Sequence, residues 1–456
     1  MSNGTSRGAL VLADGEVYVG TLFGGEAAGI QSLAGADDRL PGAGEVVFNT
    51  AMTGYHEILT DPSYAGQLVT LTYPHGGNYG CEPAWDESRQ DVGTLRRRIP
   101  AQGLVLRSLY RGSLPPGRQS LQDFLAESGI PGIDGIDTRR LTLRIRDGGA
   151  ANALILTLPA RHAALGALQA SRLQRMEELF SEEECGTIRD YFSRLPDMEG
   201  RDLVSWVVSA PLDTAALDTE PVDTAPVDTA PVDTAPVDTA PVDTAPVGGD
   251  AGLPADALSL VLLDYGSKEN IRRLLTEAGA RVTVLPGTAG PEEVLAVGAD
   301  GVVLSNGPGD PAVLAGQVAT VAGLVGKLPL LGICLGHQLV AEALEAKTYK
   351  MPFGHHGANH PVTDHKTGRV FVSSQNHGFA VDPDSLPESV DLWFTNANDG
   401  TVEGLQSDDL RIWTSQFHPE AAPGPRDCGF IIRDYVDAVR QDSRSRDSRA
   451  PVGGAG

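Results

Sequence analysis

The feature that most restricts how this chain can fold is a five-residue repeat in its middle. PVDT recurs at 221–224, 226–229, 231–234, 236–239 and 241–244, and the degenerate copies PLDT and ALDT precede it at 211–214 and 216–219. A period of five is far below the roughly 20–50 residues of a solenoid unit. Each copy carries a proline, an aspartate and one larger apolar side chain, so the tract cannot bury enough surface to offset its ordering entropy. It reads as an extended, self-repelling, disordered linker spanning 206–257. The chain is thereby divided into a first folded unit (1–205), a second (258–440) and a disordered tail (441–456).

The acidic residues of the tract supply about a third of the formal net charge of −25, so that charge overstates the acidity of the folded parts. It still argues against DNA or RNA as a partner, because phosphate binding needs clustered Lys and Arg. No stretch approaches the ~20 apolar residues of a membrane helix. The start, MSNGTSRGALVLADG, lacks the basic and apolar regions of a secretory signal. Cys81, Cys185, Cys334 and Cys428 form no CxxC pair, which points away from a disulfide framework or zinc knuckle. A cytoplasmic protein is expected.

The first unit is mixed. Glu16–Thr21 and Gln67–Tyr73 alternate as strands do. Residues 136–149 read as a helix capped by Asp137 or Thr138 and ended by Gly148–Gly149. Residues 165–196 read as helical and, from their charge, as solvated surface. In the second unit, apolar runs such as LSLVLLD (258–264), GVVL (301–304) and LPLLGI (328–333) alternate with helix-like stretches. That pattern predicts a parallel sheet covered on both faces, with ligands at the carboxyl ends of its strands.

One such end carries the strongest chemical signal. An apolar strand runs into Gly332-Ile333-Cys334-Leu335-Gly336 and then a helix, the thiol counterpart of the G-x-S-x-G nucleophile elbow. A tight strand-to-helix turn presents Cys334 at a helix N-terminus, where the dipole and free N–H groups favour a thiolate. The Leu335 N–H is placed as an oxyanion donor. A nucleophilic thiolate needs a base, and the base an orienting group. In FHPEAAPGP, His418 and Glu420 are two residues apart, so an extended chain puts both on one side, and Pro419 disfavours helix there. In LSNGPGDPA (304–312), Gly307 and Gly309 leave backbone amides open for a second oxyanion donor. The same loop matches a dinucleotide G-x-G-x-x-A, but Pro308 and Pro311 remove donors and no acidic residue lies near 327 to hold a ribose. His355, His356, His360 and His365 read as a polar loop beside the site, and no metal is expected there. No G-x-x-x-x-G-K-[ST] is present, so no P-loop ATP site is indicated.

GICLGHQ followed about 80 residues later by HPE resembles the class I, triad-type glutamine amidotransferases. LSNGPGDP, PFGHHGANHPV, SSQNHGFAV (373–381) and HPEAAPGP together resemble the carbamoyl phosphate synthetase small-subunit family. So do GEVVFNTAMTGYHEILTDPSYAGQLVTLTYPHGGNYG (44–80) and IDTRRLTLRIRDGGAANALI (136–155), which look like that family's own first domain. The resemblance implies an α/β protein: a mixed first domain, the linker, and a flavodoxin-like parallel-sheet amidotransferase domain. It implies that Cys334 attacks the glutamine side-chain amide while His418 shuttles protons and Glu420 holds His418. By motif match, Ser63, Gly307, Gly309, Leu335, Gln338, Asn376, Gly378 and Phe379 would bind L-glutamine. Ammonia would pass to a large subunit that makes carbamoyl phosphate from bicarbonate and ATP, for pyrimidine and arginine synthesis. ATP and Mg would bind that subunit, with no cofactor in this chain. The alternatives are the glutaminase subunit of another synthetase and a catalytically silent regulatory subunit.

Overall fold

The computed structural model describes residues 6–88, 98–162, 174–208, 253 and 257–449. Most of the expected linker, including every PVDT copy, lies outside them.

Seven strands of the first unit close on themselves. They are β1 (Arg7–Leu12), β2 (Glu16–Gly24), β3 (Ala43–Asn49), β4 (Gln67–Leu71), β5 (Gly103–Val105), β6 (Pro131–Asp134) and β7 (Ala151–Thr157). Their order is β1-β7-β3-β4-β5-β6-β2, and pairing of β1 with β2 completes a barrel-like ring. Closure leaves these seven strands no open edge. Both faces are apolar: Leu10 and Leu12 of β1 join a cluster with Leu141 and Ile145, whereas Ala9 and Val11 join one with Ile188 and Tyr191. Leu141 and Ile145 belong to helix α1 (Thr138–Gly148), whose Arg140 N–H donates to the Asp137 carboxylate at 3.1 Å, the expected cap. Ile188 and Tyr191 belong to α2 (Glu182–Arg194), closed at its start by a Ser181/Glu184 capping box. Of the stretch 165–196 expected as solvated surface, 165–173 lie outside the described residues, and for the remainder the expectation is corrected. Within α2, Cys185, Ile188 and Tyr191 fall three apart on one face and are buried against the barrel. The charge count outweighed that periodicity.

The second unit has nine strands: β8 (Leu258–Asp264), β9 (Ala280–Pro286), β10 (Gly301–Leu304), β11 (Leu330–Ile333), β12 (Thr348–Asp364), β13 (Val370–Val381), β14 (Asp391–Asn396), β15 (Val402–Ser407) and β16 (Ile412–Ser415). The order is β9-β8-β10-β11-β16-β15-β14-β12-β13. The first five are parallel and the other four pair antiparallel. The expectation of a parallel sheet thus covers only half of a mixed one. Residues 344–411 return through short turns, and such connections force antiparallel pairing. The presumed histidine loop is part of the 17-residue strand β12. Helix α3 (Glu269–Glu277) follows β8 and α4 (Leu335–Ala343) follows β11. The final helix, α5 (Phe430–Arg449), buries Ile431, Ile432, Tyr435 and Val439 and runs nine residues beyond the predicted end of the domain. Among the described residues no helix is long and apolar enough to cross a membrane.

The two units share a polar seam. Thr50 N–H donates to the His356 carbonyl at 3.1 Å, Ala150 N–H to the Pro352 carbonyl at 2.7 Å, and Asp310 N–H to the Arg201 carbonyl at 3.2 Å.

Candidate active site

The strand β11 ends where the chain must turn sharply into α4, and Cys334 occupies that turn with φ 53° and ψ −103°. A non-glycine residue with positive φ carries backbone strain. The neighbours hold it there: Cys334 N–H donates to the Ser415 carbonyl at 2.8 Å and Gly336 N–H to the Ser305 carbonyl at 3.1 Å. Gly336 is required because a Cβ there would sit 2.3 Å from the Leu304 carbonyl oxygen. The thiol is buried, 3.6 Å from the Asn376 carbonyl oxygen and 3.8 Å from Gln416 Nε2.

His418 lies beyond the end of β16, held by its N–H to the Ser374 carbonyl at 2.9 Å. Its Nδ1 meets Glu420 Oε1 at 2.6 Å, while Nε2 is buried without a protein hydrogen bond. The expected pairing is present, but the chain is not extended as predicted. Ala421 N–H turns back to the His418 carbonyl at 3.1 Å, and Ala421 and Ala422 take positive φ. A tight turn, not a strand alternation, brings Glu420 under His418. Burial opposes charge on His418, but the Glu420 carboxylate overrides it and, with help from Cys334, raises the imidazole to about 10. Burial likewise opposes ionisation of Glu420, but Lys268 and His418 lower its carboxyl to about 2. The coupled group is therefore a buried ion pair, an imidazolium on a carboxylate.

Lys268 was not anticipated from the sequence, where it opens an ordinary helix. Its Nζ is 3.0 Å from Glu420 Oε1 and also donates to the Ala421 carbonyl. Burial works against its charge, but Glu420, Asp61 and Glu87 together raise its ammonium above the ordinary lysine value. Asn270 Nδ2 donates to the Glu420 carbonyl.

A narrow cavity opens beside Cys334. Of the residues expected to bind glutamine, Ser63, Gly307, Gly309, Gln338, Asn376, Gly378 and Phe379 line it. Leu335 does not; its side chain is buried in the apolar core, and only its backbone remains for the oxyanion role. Gly307 packs where a Cβ would meet the Tyr265 carbonyl oxygen at 2.5 Å. Ser63 reaches over from the first unit, its Oγ accepting from Asn306 Nδ2 at 2.9 Å. Asp61 organises two of these residues, taking the Ser63 N–H at 2.9 Å and Asn376 Nδ2 at 3.0 Å. Gln338 Nε2 donates to the Phe379 carbonyl at 2.9 Å and to Gln416 Oε1 at 3.0 Å. The cavity also contains an ion pair that sequence reasoning missed, Lys350 Nζ to Glu45 Oε1 at 3.1 Å, with Gln67 Nε2 on the other Glu45 oxygen at 3.3 Å. No local pattern marks these residues, because Glu45 and Lys350 lie on different domains.

Of the four histidines in the β12 stretch, only His356 lines the cavity. His365 bonds Thr395. His355 and His377 converge with Glu403, their ligand-type atoms within 4.8 Å of one another. Glu403 was overlooked because it sits about 50 residues downstream. Each of the three has protein partners: Asp399 for His355, the Phe379 carbonyl for His377, and Gln375 and Asn396 for Glu403.

Comparison with known proteins follows the same division. The model of the class-I glutamine amidotransferases matches residues 261–438, and that of the carbamoyl-phosphate synthase small chain, CPSase domain, matches 10–155. The carbamoyl phosphate synthase small chain of Akkermansia muciniphila is 40% identical over 438 residues, covering 96% of this chain and 99% of that one. That of Symbiobacterium thermophilum is 39% identical over 429 residues, covering 93% and 98%. The chloroplastic small chain of Oryza sativa subsp. japonica is 36% identical over 439 residues, covering 96% and 83%. With both domain models matched in order and small chains aligned to 93% or more of its length, the chain belongs to the carbamoyl phosphate synthase small chain family, as the glutaminase subunit of that synthase.

Proposed function

We propose that Cys334, His418 and Glu420 form the triad that hydrolyses L-glutamine, with the substrate in the adjoining cavity. The observation that carries this reading is the strained, buried Cys334 beside a histidine whose far nitrogen is held by a carboxylate at 2.6 Å. The Cys334 sulfur attacks the side-chain carbonyl carbon, and the amide oxygen takes the negative charge against the Leu335 N–H and the amides of the Gly307–Gly309 loop. His418 gives its Nε2 proton to the leaving nitrogen, so the C–N bond breaks, ammonia departs and a thioester remains. Water, deprotonated by the now neutral His418, then attacks the thioester; the C–S bond breaks, glutamate leaves and the thiolate–imidazolium pair returns. Glu420 keeps the proton-carrying nitrogen aimed at sulfur throughout. Ser63, Gly307, Gly309, Gln338, Asn376, Gly378 and Phe379 hold the glutamine. The ammonia passes to the large chain, which carries the ATP and Mg chemistry.

The decisive assay mixes this chain with a carbamoyl phosphate synthase large chain. The pair should co-purify and make carbamoyl phosphate from glutamine. Cys334→Ser should abolish glutamine use while the complex still accepts free ammonia. Retained glutamine use in that variant, or no association, overturns the reading.

A further inference from the structure

Helix α3 starts at a residue that cannot cap it. The N-cap position is Lys268, whose side chain accepts no helix N–H and is instead committed to Glu420. Lysine has only donors, so the first free amides of α3 need acceptors from elsewhere. They come from the other domain: Glu269 N–H donates to the Glu87 carbonyl at 3.0 Å, and Asn270 N–H to Glu87 Oε2 at 3.1 Å. Glu87 is almost wholly buried, and Ser88 pairs in a β-bridge with Lys268 itself. Glu87 is tied back into its own domain by its N–H to Thr60 Oγ1 at 3.0 Å. The residues it grips are the ones that grip the triad, since Lys268 Nζ and Asn270 Nδ2 take the side chain and the backbone of Glu420.

Resting on the triad reading above, we propose that Glu87 is a positioning residue for glutamine hydrolysis: it caps α3 from the first domain and so fixes Glu420 beneath His418. The first domain thereby acts on the chemistry through this contact as well as through Ser63 on the cavity wall. The charge around this contact is balanced locally. Lys268 faces Glu420, Asp61, Glu87 and Glu57, and Arg273 approaches Glu87 at 3.9 Å. Burial, opposed in part by Lys268, raises the Glu87 carboxyl to about 8. The cap requires only an acceptor oxygen, which Glu87 supplies at Oε2.

The test is a set of three proteins, each assembled with the large chain: wild type, Glu87→Ala and Glu87→Gln. Glu87→Ala removes the side-chain acceptor and should lower kcat for glutamine hydrolysis about tenfold, with KM changed less than twofold and ammonia-dependent synthesis unchanged. Glu87→Gln keeps an amide oxygen for Asn270 N–H and should recover to within about threefold of wild type. Wild-type kcat in Glu87→Ala overturns the inference. So does a fall in glutamine- and ammonia-dependent rates together, or a Gln variant as slow as the Ala variant. If wild type itself fails to hydrolyse glutamine, the triad reading fails first, and the two failures are separated.

Discussion

Replacing Glu420 with Gln isolates the electrostatic part of the site. The substitution keeps shape and one acceptor oxygen but deletes the charge that holds His418 at about 10 against an ordinary value of 6.5. That rise means the carboxylate favours the imidazolium by more than burial and Lys268 oppose it. The group is fully buried, so removing Glu420 leaves burial and the nearby Lys268 both pushing His418 down. The imidazolium present across neutral pH in wild type should therefore be lost in the variant. Without that positive charge beside the sulfur, Cys334 should react about tenfold more slowly at neutral pH. The assay is the rate of Cys334 alkylation by iodoacetamide from pH 5 to 10, beside glutamine hydrolysis. Wild type should be alkylated faster than Glu420→Gln across neutral pH. The sign also fixes the stability difference between the two proteins. The His418 contribution is full below about 6.5 and lost as pH rises through about 10; that of Glu420 is present above about 4.5 and lost as pH falls towards 2. Superimposable alkylation profiles would refute the reasoning, because the carboxylate would then not govern the imidazolium.

One substitution and one deletion probe the frame. Gly336→Ala places a methyl 2.3 Å from a backbone oxygen in the elbow; the clash should cost roughly 1–3 kcal/mol and lower Tm by several degrees in calorimetry, with glutaminase activity falling alongside. Deleting the PVDT units of 221–244 should leave kcat and KM for glutamine intact, because Val207 packs at Gly266 and Arg201 at Gly309 independently of the tract. A large loss on deletion would mean that the tract positions the domains.

Much of the site was legible because its parts are local. The elbow needs a strand, glycines and a helix within nine residues, and these are written consecutively around Cys334. His418 and Glu420 were paired correctly by their spacing, although the chain joins them by a turn. The sheet was half legible: βα alternation marks parallel strands, but 344–411 carries long stretches whose pairing direction depends on how short turns fold them back. Helix α2 was misjudged because its charge is a bulk property, whereas burial follows the three-residue spacing of Cys185, Ile188 and Tyr191.

The repeat, the elbow and the order of the two domains were thus determined by the sequence alone, since each rests on neighbouring residues or on composition. What only the tertiary structure decided is how the domains share one active site. Lys268 clamps Glu420, Asp61 joins Ser63 to Asn376, Glu45 meets Lys350, and Glu87 caps α3. The residues joined lie up to 315 positions apart, and no local propensity encodes these contacts. They exist because burying charged and donor groups at and beside the domain seam demands a partner for each, and for Asn376, Lys350 and the start of α3 that partner lies on the other domain.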